Sequence, residues 1–124
     1  MFKINDDRSI FITRGDAARF SIGISVGDGG DQYVFQPGDV VRFKVFEKKG
    51  CDCVVLTKDV VVEEEVDFVS IALTGEDTKI GEVIHKPREY WYEVELNPDT
   101  DPQTVIGYDE KGAKIFRLFP EGEV

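Results

Sequence analysis

The run Glu63-Glu64-Glu65-Val66-Asp67 sets four acids within five residues, and paired carboxylates are the equipment of glycoside hydrolysis. A working pair has to converge on one bond from separate segments, whereas neighbours along a strand face opposite sides. Contiguity therefore favours a solvated strand end, or an acidic face that docks a basic partner. His85 is the single histidine and the first general-base candidate, since imidazole titrates near neutrality. It stands in the polar connection His85-Lys86-Pro87-Arg88, and the chain has no Gly-x-Ser-x-Gly nucleophile motif, so it reads as an exposed loop residue. Cys51 and Cys53 would lie roughly 7 Å apart at Cα on one side of a strand, at or just past disulfide reach. Reduced thiols are expected, and a two-thiolate metal site would need soft ligands beyond His85.

Three further clusters reduce to turn chemistry. Asp28-Gly29-Gly30-Asp31 and Asp99-Thr100-Asp101 offer oxygen ligands to a hard cation but lack the spaced carboxylates and bidentate Glu of a calcium loop. Arg14-Gly15-Asp16 spells the tripeptide read by adhesion receptors, yet Gly-Asp between strands is ordinary turn material. No catalytic, cofactor-binding or metal-binding residue is assigned, and the expectation is a protein without enzymatic activity.

Whatever these residues do, strands must position them. Tyr90, Tyr92, Val94 and Leu96 alternate with Trp91, Glu93 and Glu95, and the same period of two recurs at Phe20, Ile22, Ile24, Val26 and at Val41, Phe43, Val45. That pattern marks half-buried strands sharing one core. Strands are expected over residues 9–13, 17–26, 40–47, 54–58, 60–64, 67–73, 90–96, 104–108 and 113–119, separated by Gly, Pro, Asn and Asp. Asp109-Glu110-Lys111-Gly112 is expected to close a hairpin. One short helical turn fits residues 75–80, with Thr74 as its cap and Asp77 returning the bond. Alternation sends Trp91 to the face opposite Tyr90 and Tyr92, where it either packs in a second layer or supplies aromatic area to a partner or a sugar ring. The fold class is therefore all-β: an antiparallel two-sheet sandwich, immunoglobulin-like, with at most one helical turn. A small barrel is the competing closure.

At 124 residues the chain fits one domain, residues 1–124, with a 41% hydrophobic fraction and nine Phe to build a core. Twenty-five acids against fifteen bases give a formal charge of −10, which argues against nucleic acid and against anionic lipid surfaces. No run approaches the ~18 apolar residues of a membrane span. Met1 to Asp7 lacks a basic region followed by an apolar stretch, so a cytoplasmic protein is expected.

Taken in order, Ile12-Thr13-Arg14-Gly15-Asp16, Pro37-Gly38-Asp39-Val40-Val41-Arg42-Phe43-Lys44-Val45, Leu73-Thr74-Gly75-Glu76-Asp77-Thr78-Lys79, Tyr90-Trp91-Tyr92-Glu93-Val94-Glu95-Leu96 and Gln103-Thr104-Val105-Ile106-Gly107-Tyr108 form a recognisable series. The chain resembles the small β-sandwich domain of tailed-phage and prophage proteins, including the N-terminal domain of baseplate upper proteins. The resemblance implies a structural or assembly protein of a tail or baseplate, carried in the virion once assembled, whose partners are other tail proteins or further copies of itself. It carries over no catalytic residue. Trp91, Tyr33, Phe35, Glu63, Glu64 and Glu65 are the candidate contact residues. The competing expectation is a carbohydrate-binding or host-surface adhesion module, since a sandwich with Trp and Tyr on its surface can stack sugar rings.

Overall fold

The computed structural model describes residues 2–23, 25–26, 31–48, 53–82, 84–97, 103–106 and 114–121. They form eleven strands and no helix: β1 (Phe2–Ile4), β2 (Ile10–Thr13), β3 (Ala18–Ile22), β4 (Ser25–Val26), β5 (Asp31–Gln32), β6 (Val40–Phe46), β7 (Val54–Val61), β8 (Val69–Leu73), β9 (Arg88–Leu96), β10 (Gln103–Ile106) and β11 (Lys114–Phe119). Seven of them make one sheet in the order β1-β2-β11-β9-β6-β7, with β10 alongside β9. β3 and β8 pair as a second sheet, and β4 with β5 as a small ribbon. The arrangement is all-β and sandwich-like.

Period-two patterning decides which face is buried. Ile10 and Ile12 of β2, Phe116 and Leu118 of β11, Tyr90, Tyr92, Val94 and Leu96 of β9, and Val41, Phe43 and Val45 of β6 are all buried, together with Ile22 of β3 and Val69, Ile71 and Leu73 of β8. Phe43 ties the sheets together. Its ring meets Phe20 of β3 edge-on at 5.6 Å, and Tyr92 and Phe116 within its own sheet at 5.5 and 6.2 Å. Such aromatic pairs contribute about 0.5–1.5 kcal/mol each beyond the area they bury.

Three expectations are corrected. The large sheet is not wholly antiparallel: β11 pairs with β2 in parallel, Phe116 opposite Ile10 and Leu118 opposite Ile12. Alternation records the buried face of a strand and carries no information about its neighbour's direction. Among the described residues the last two strands do not pair with each other. β10 and β11 both run antiparallel along the same edge of β9, Ile106 opposite Val94 and Lys114 opposite Tyr92, while the turn residues 109–112 lie outside the described residues. No break occurs at Asp59, because Arg42 stands directly opposite it on β6 and grips both carboxylate oxygens at 2.8 and 3.0 Å. Finally, Cys53 is disulfide-bonded. It precedes β7 and is not the reduced thiol expected; Cys51, the other cysteine of the chain, lies outside the described residues.

The turn at 75–78 does form as the sequence requires. Thr74 N–H donates to Asp77 Oδ2 at 2.8 Å, Asp77 N–H donates to Thr74 Oγ1 at 3.1 Å, and Thr78 N–H reaches back to the Thr74 carbonyl at 3.4 Å. This turn docks on the Arg14-Gly15-Asp16 turn. Gly15 N–H donates to the buried Thr78 hydroxyl at 2.9 Å, and that hydroxyl donates toward the carbonyls of Asp16 and Gly75 at 2.8 and 3.1 Å. Gly75 is required here, since a Cβ on it would stand 2.7 Å from the Gly15 carbonyl oxygen.

Candidate functional site

Arg14, whose tripeptide suggested adhesion, is only 8% exposed. Its guanidinium donates to the carbonyls of Ile80 and Gly81 at 3.5 and 2.7 Å and pairs with Glu121. The group closes the fold where the end of β2 meets the segment after β11, and it offers nothing to a receptor.

Asp39, of the Pro37-Gly38-Asp39 turn, is likewise committed. The Tyr33 hydroxyl donates to its Oδ2 at 2.7 Å, Gln36 N–H to the same oxygen at 2.9 Å, and the Asn97 amide to Oδ1 at 3.1 Å. Burial pushes this carboxyl up, and the three donors more than offset it, holding it below the usual carboxylate range. Asn97 returns the contact by accepting the Val40 N–H at 2.8 Å. Tyr33 therefore orders the entry to β6. Its ring stands edge-on to Phe35 at 5.2 Å.

Phe35 is a correction among the contact candidates. It is 0% exposed and belongs to the core, because its backbone bridges Val66 in both directions, Phe35 N–H to the Val66 carbonyl at 2.8 Å and Val66 N–H to the Phe35 carbonyl at 3.2 Å. That bridge turns the side chain inward. Trp91 is half-buried on the face of the large sheet turned away from β3 and β8, flanked across the strands by Phe46 and Ile115. On the same face Lys44 stands between Glu93 and Glu95 at 3.3 and 2.5 Å. Burial lowers this ammonium's affinity for its proton, yet the two carboxylates outweigh that and hold it above its ordinary value. His85 is exposed. Among the described residues no group of three or more His, Cys, Asp or Glu gathers as a metal site, and no helix is long and apolar enough to cross a membrane.

Glu63, Glu64 and Glu65 are exposed on the connection that carries the chain from β7 in the large sheet to β8 in the small one. The Phe35–Val66 bridge pins this connection from below. Trp91 lies on a different face, so the contact candidates do not converge on one patch. Beside the acids lie two residues that sequence reasoning passed over, Val61 and Phe68, 60% and 59% exposed. A signal for Phe68 was present. In the alternation Val69, Ile71, Leu73 against Phe68, Ser70, Ala72, it is the aromatic on an otherwise small, polar face, and a large apolar side chain there stays in water. The ring lies over Gly23, where an added Cβ would meet its Cε1 at 2.6 Å.

β7 is also an end strand of its sheet. Its inner face carries Lys58, which reaches Asp77 of the capped turn at 3.0 Å. An inward-pointing charge on an edge strand opposes indiscriminate pairing with other chains. No family model, no curated protein and no solved structure matches the chain.

Proposed function

We propose that the chain is a non-enzymatic structural or assembly module of a phage or prophage tail or baseplate, an immunoglobulin-like sandwich that works through protein contacts. The resemblance of the strand-and-turn series to small tail domains carries the phage assignment. The corner between β7 and β8 supports the mode of action: Val61 and Phe68 are exposed beside four acids at an end strand, and exposed apolar area at a sheet edge is a site for another chain. The protein is made in the cytoplasm and passes into the virion on assembly. Proteomics of tailed particles and of gradient-separated assembly intermediates, from an induced culture of the encoding host, tests this. The chain is expected in one of those fractions, and its confinement to free soluble protein would overturn the reading.

A second reading, carbohydrate binding, draws on Trp91, whose half-buried ring sits between Phe46 and Ile115 on the outer face of the large sheet and could stack a sugar. It predicts glycan-array binding that disappears in Trp91→Ala; an inert array would dispose of it.

A further inference from the structure

The corner between β7 and β8 has a floor, walls and a charged rim. A shallow groove of about 280 Å³ runs there, floored by Val62 and Val69, walled by Val61 and Phe68, and rimmed by Glu63 and Glu64. Val62 and Val69 are buried, so the floor belongs to the core and cannot collapse, while both walls stand well out in water. Gly23 fixes the second wall by letting the Phe68 ring lie against bare backbone. Glu65 and Asp67 add two more exposed acids on the same connection, in a chain whose formal charge is −10. Lys58 guards the middle of β7, and the groove opens beyond it, at the strand's C-terminal end.

We infer that this groove docks an extended protein segment in which a large apolar side chain has Lys or Arg two residues before and after it, on the same face of the strand. The inference rests on the reading of the protein as a contact module and adds the chemistry of the partner. An apolar side chain enters between Val61 and Phe68 and covers the floor. Cationic side chains to either side reach Glu63 and Glu64, which are unfavourable neighbours for an acidic segment and favourable ones for a basic segment. A second copy of this chain is disfavoured as occupant by the same charge, since its corner brings the same four acids.

Two synthetic peptides test this, Lys-Ser-Phe-Ser-Lys and Glu-Ser-Phe-Ser-Glu, each titrated into the intact protein and followed by amide chemical shifts. The basic peptide is expected to move amides between Val60 and Ser70, with an affinity that weakens as salt is raised, and the acidic peptide to move none. Phe68→Ala, at an exposed position, is expected to keep the wild-type spectrum elsewhere and to weaken binding roughly tenfold. Gly23→Ala displaces the ring without altering the groove's own residues and is expected to weaken it as well. Equal shifts with both peptides, shifts centred elsewhere, no shifts, or self-association through Phe68 in sedimentation would each overturn the inference. Recovery of the chain in particles is read separately, so the groove can fail while the contact-module reading stands, and the reverse.

Discussion

At the scale of single residues, polar side chains of three turns hold the fold together. Arg14, Asp39 and Asp77 each have their hydrogen-bonding capacity taken up by backbone or by neighbours from distant segments. Gly75 shows how tight that joinery is. Gly75→Ala puts a methyl group 2.7 Å from the Gly15 carbonyl oxygen, so the two turns must part; a loss of about 1–3 kcal/mol is expected in chemical denaturation. Tyr92 gives a prediction in pH. It is 5% exposed, and burial raises its hydroxyl from the ordinary 10.0 to about 12. Between those values the folded chain keeps a proton that the unfolded chain has lost, so stability is full below pH 10 and falls as pH rises through that window. Tyr92→Phe should flatten part of the alkaline decline in melting temperature, leaving the parts due to Tyr33, whose hydroxyl is also raised, chiefly by its bond to Asp39, and to Lys44, whose ammonium, despite burial, Glu93 and Glu95 hold above its ordinary value. An unchanged alkaline slope would contradict the assignment. Trp91 on the outer face and the exposed acids were legible from alternation and charge alone. Phe35 was not, because a single bridge to Val66 turns it inward and no periodic pattern surrounds it.

Elements follow from alternation where both the pattern and the turn chemistry are local. β2, β6, β8 and β9 appear within a residue or two of where period two places them, and the capped turn after β8 forms with the bonds that Thr74 and Asp77 dictate. β7 shows the limit. Asp59 looks like a break until its cross-strand partner is known, and Arg42 is 17 residues away along the chain. β1 is too short to display a period at all. The end position of β7 makes a prediction that belongs to the strand as a whole. Lys58→Val removes the inward charge and its pairing with Asp77, leaving an apolar edge. Light scattering should then show concentration-dependent association in the variant and a monomer in the wild type; a variant that stays monomeric would deny Lys58 its guarding role.

At the scale of the whole molecule, four carboxylates predict a fold that weakens in acid. Asp7, Asp39, Asp59 and Asp77 are all held below their ordinary value of 3.8 in the fold. Each contributes stability that is present above 3.8 and is lost as pH falls through its folded value, since the unfolded chain takes up protons first. Melting temperature should therefore hold level down to about pH 5 and then drop, with Asp77→Asn giving a shallower drop. A flat acid limb in the wild type would count against these four carboxylates. Sheet order at this scale was closed to sequence reasoning, because the parallel pairing of β2 with β11 joins segments from opposite ends of the chain. That pairing has a consequence for how the protein is made. During synthesis β9 emerges before β11, so the half of its edge opposite Arg88 to Tyr92 has no partner, and β2 has only β1, until the last strand clears the ribosome. Nascent chains stalled just before Lys114 should accordingly be recognised by chaperones as unfinished, and the sheet should close in a single late step.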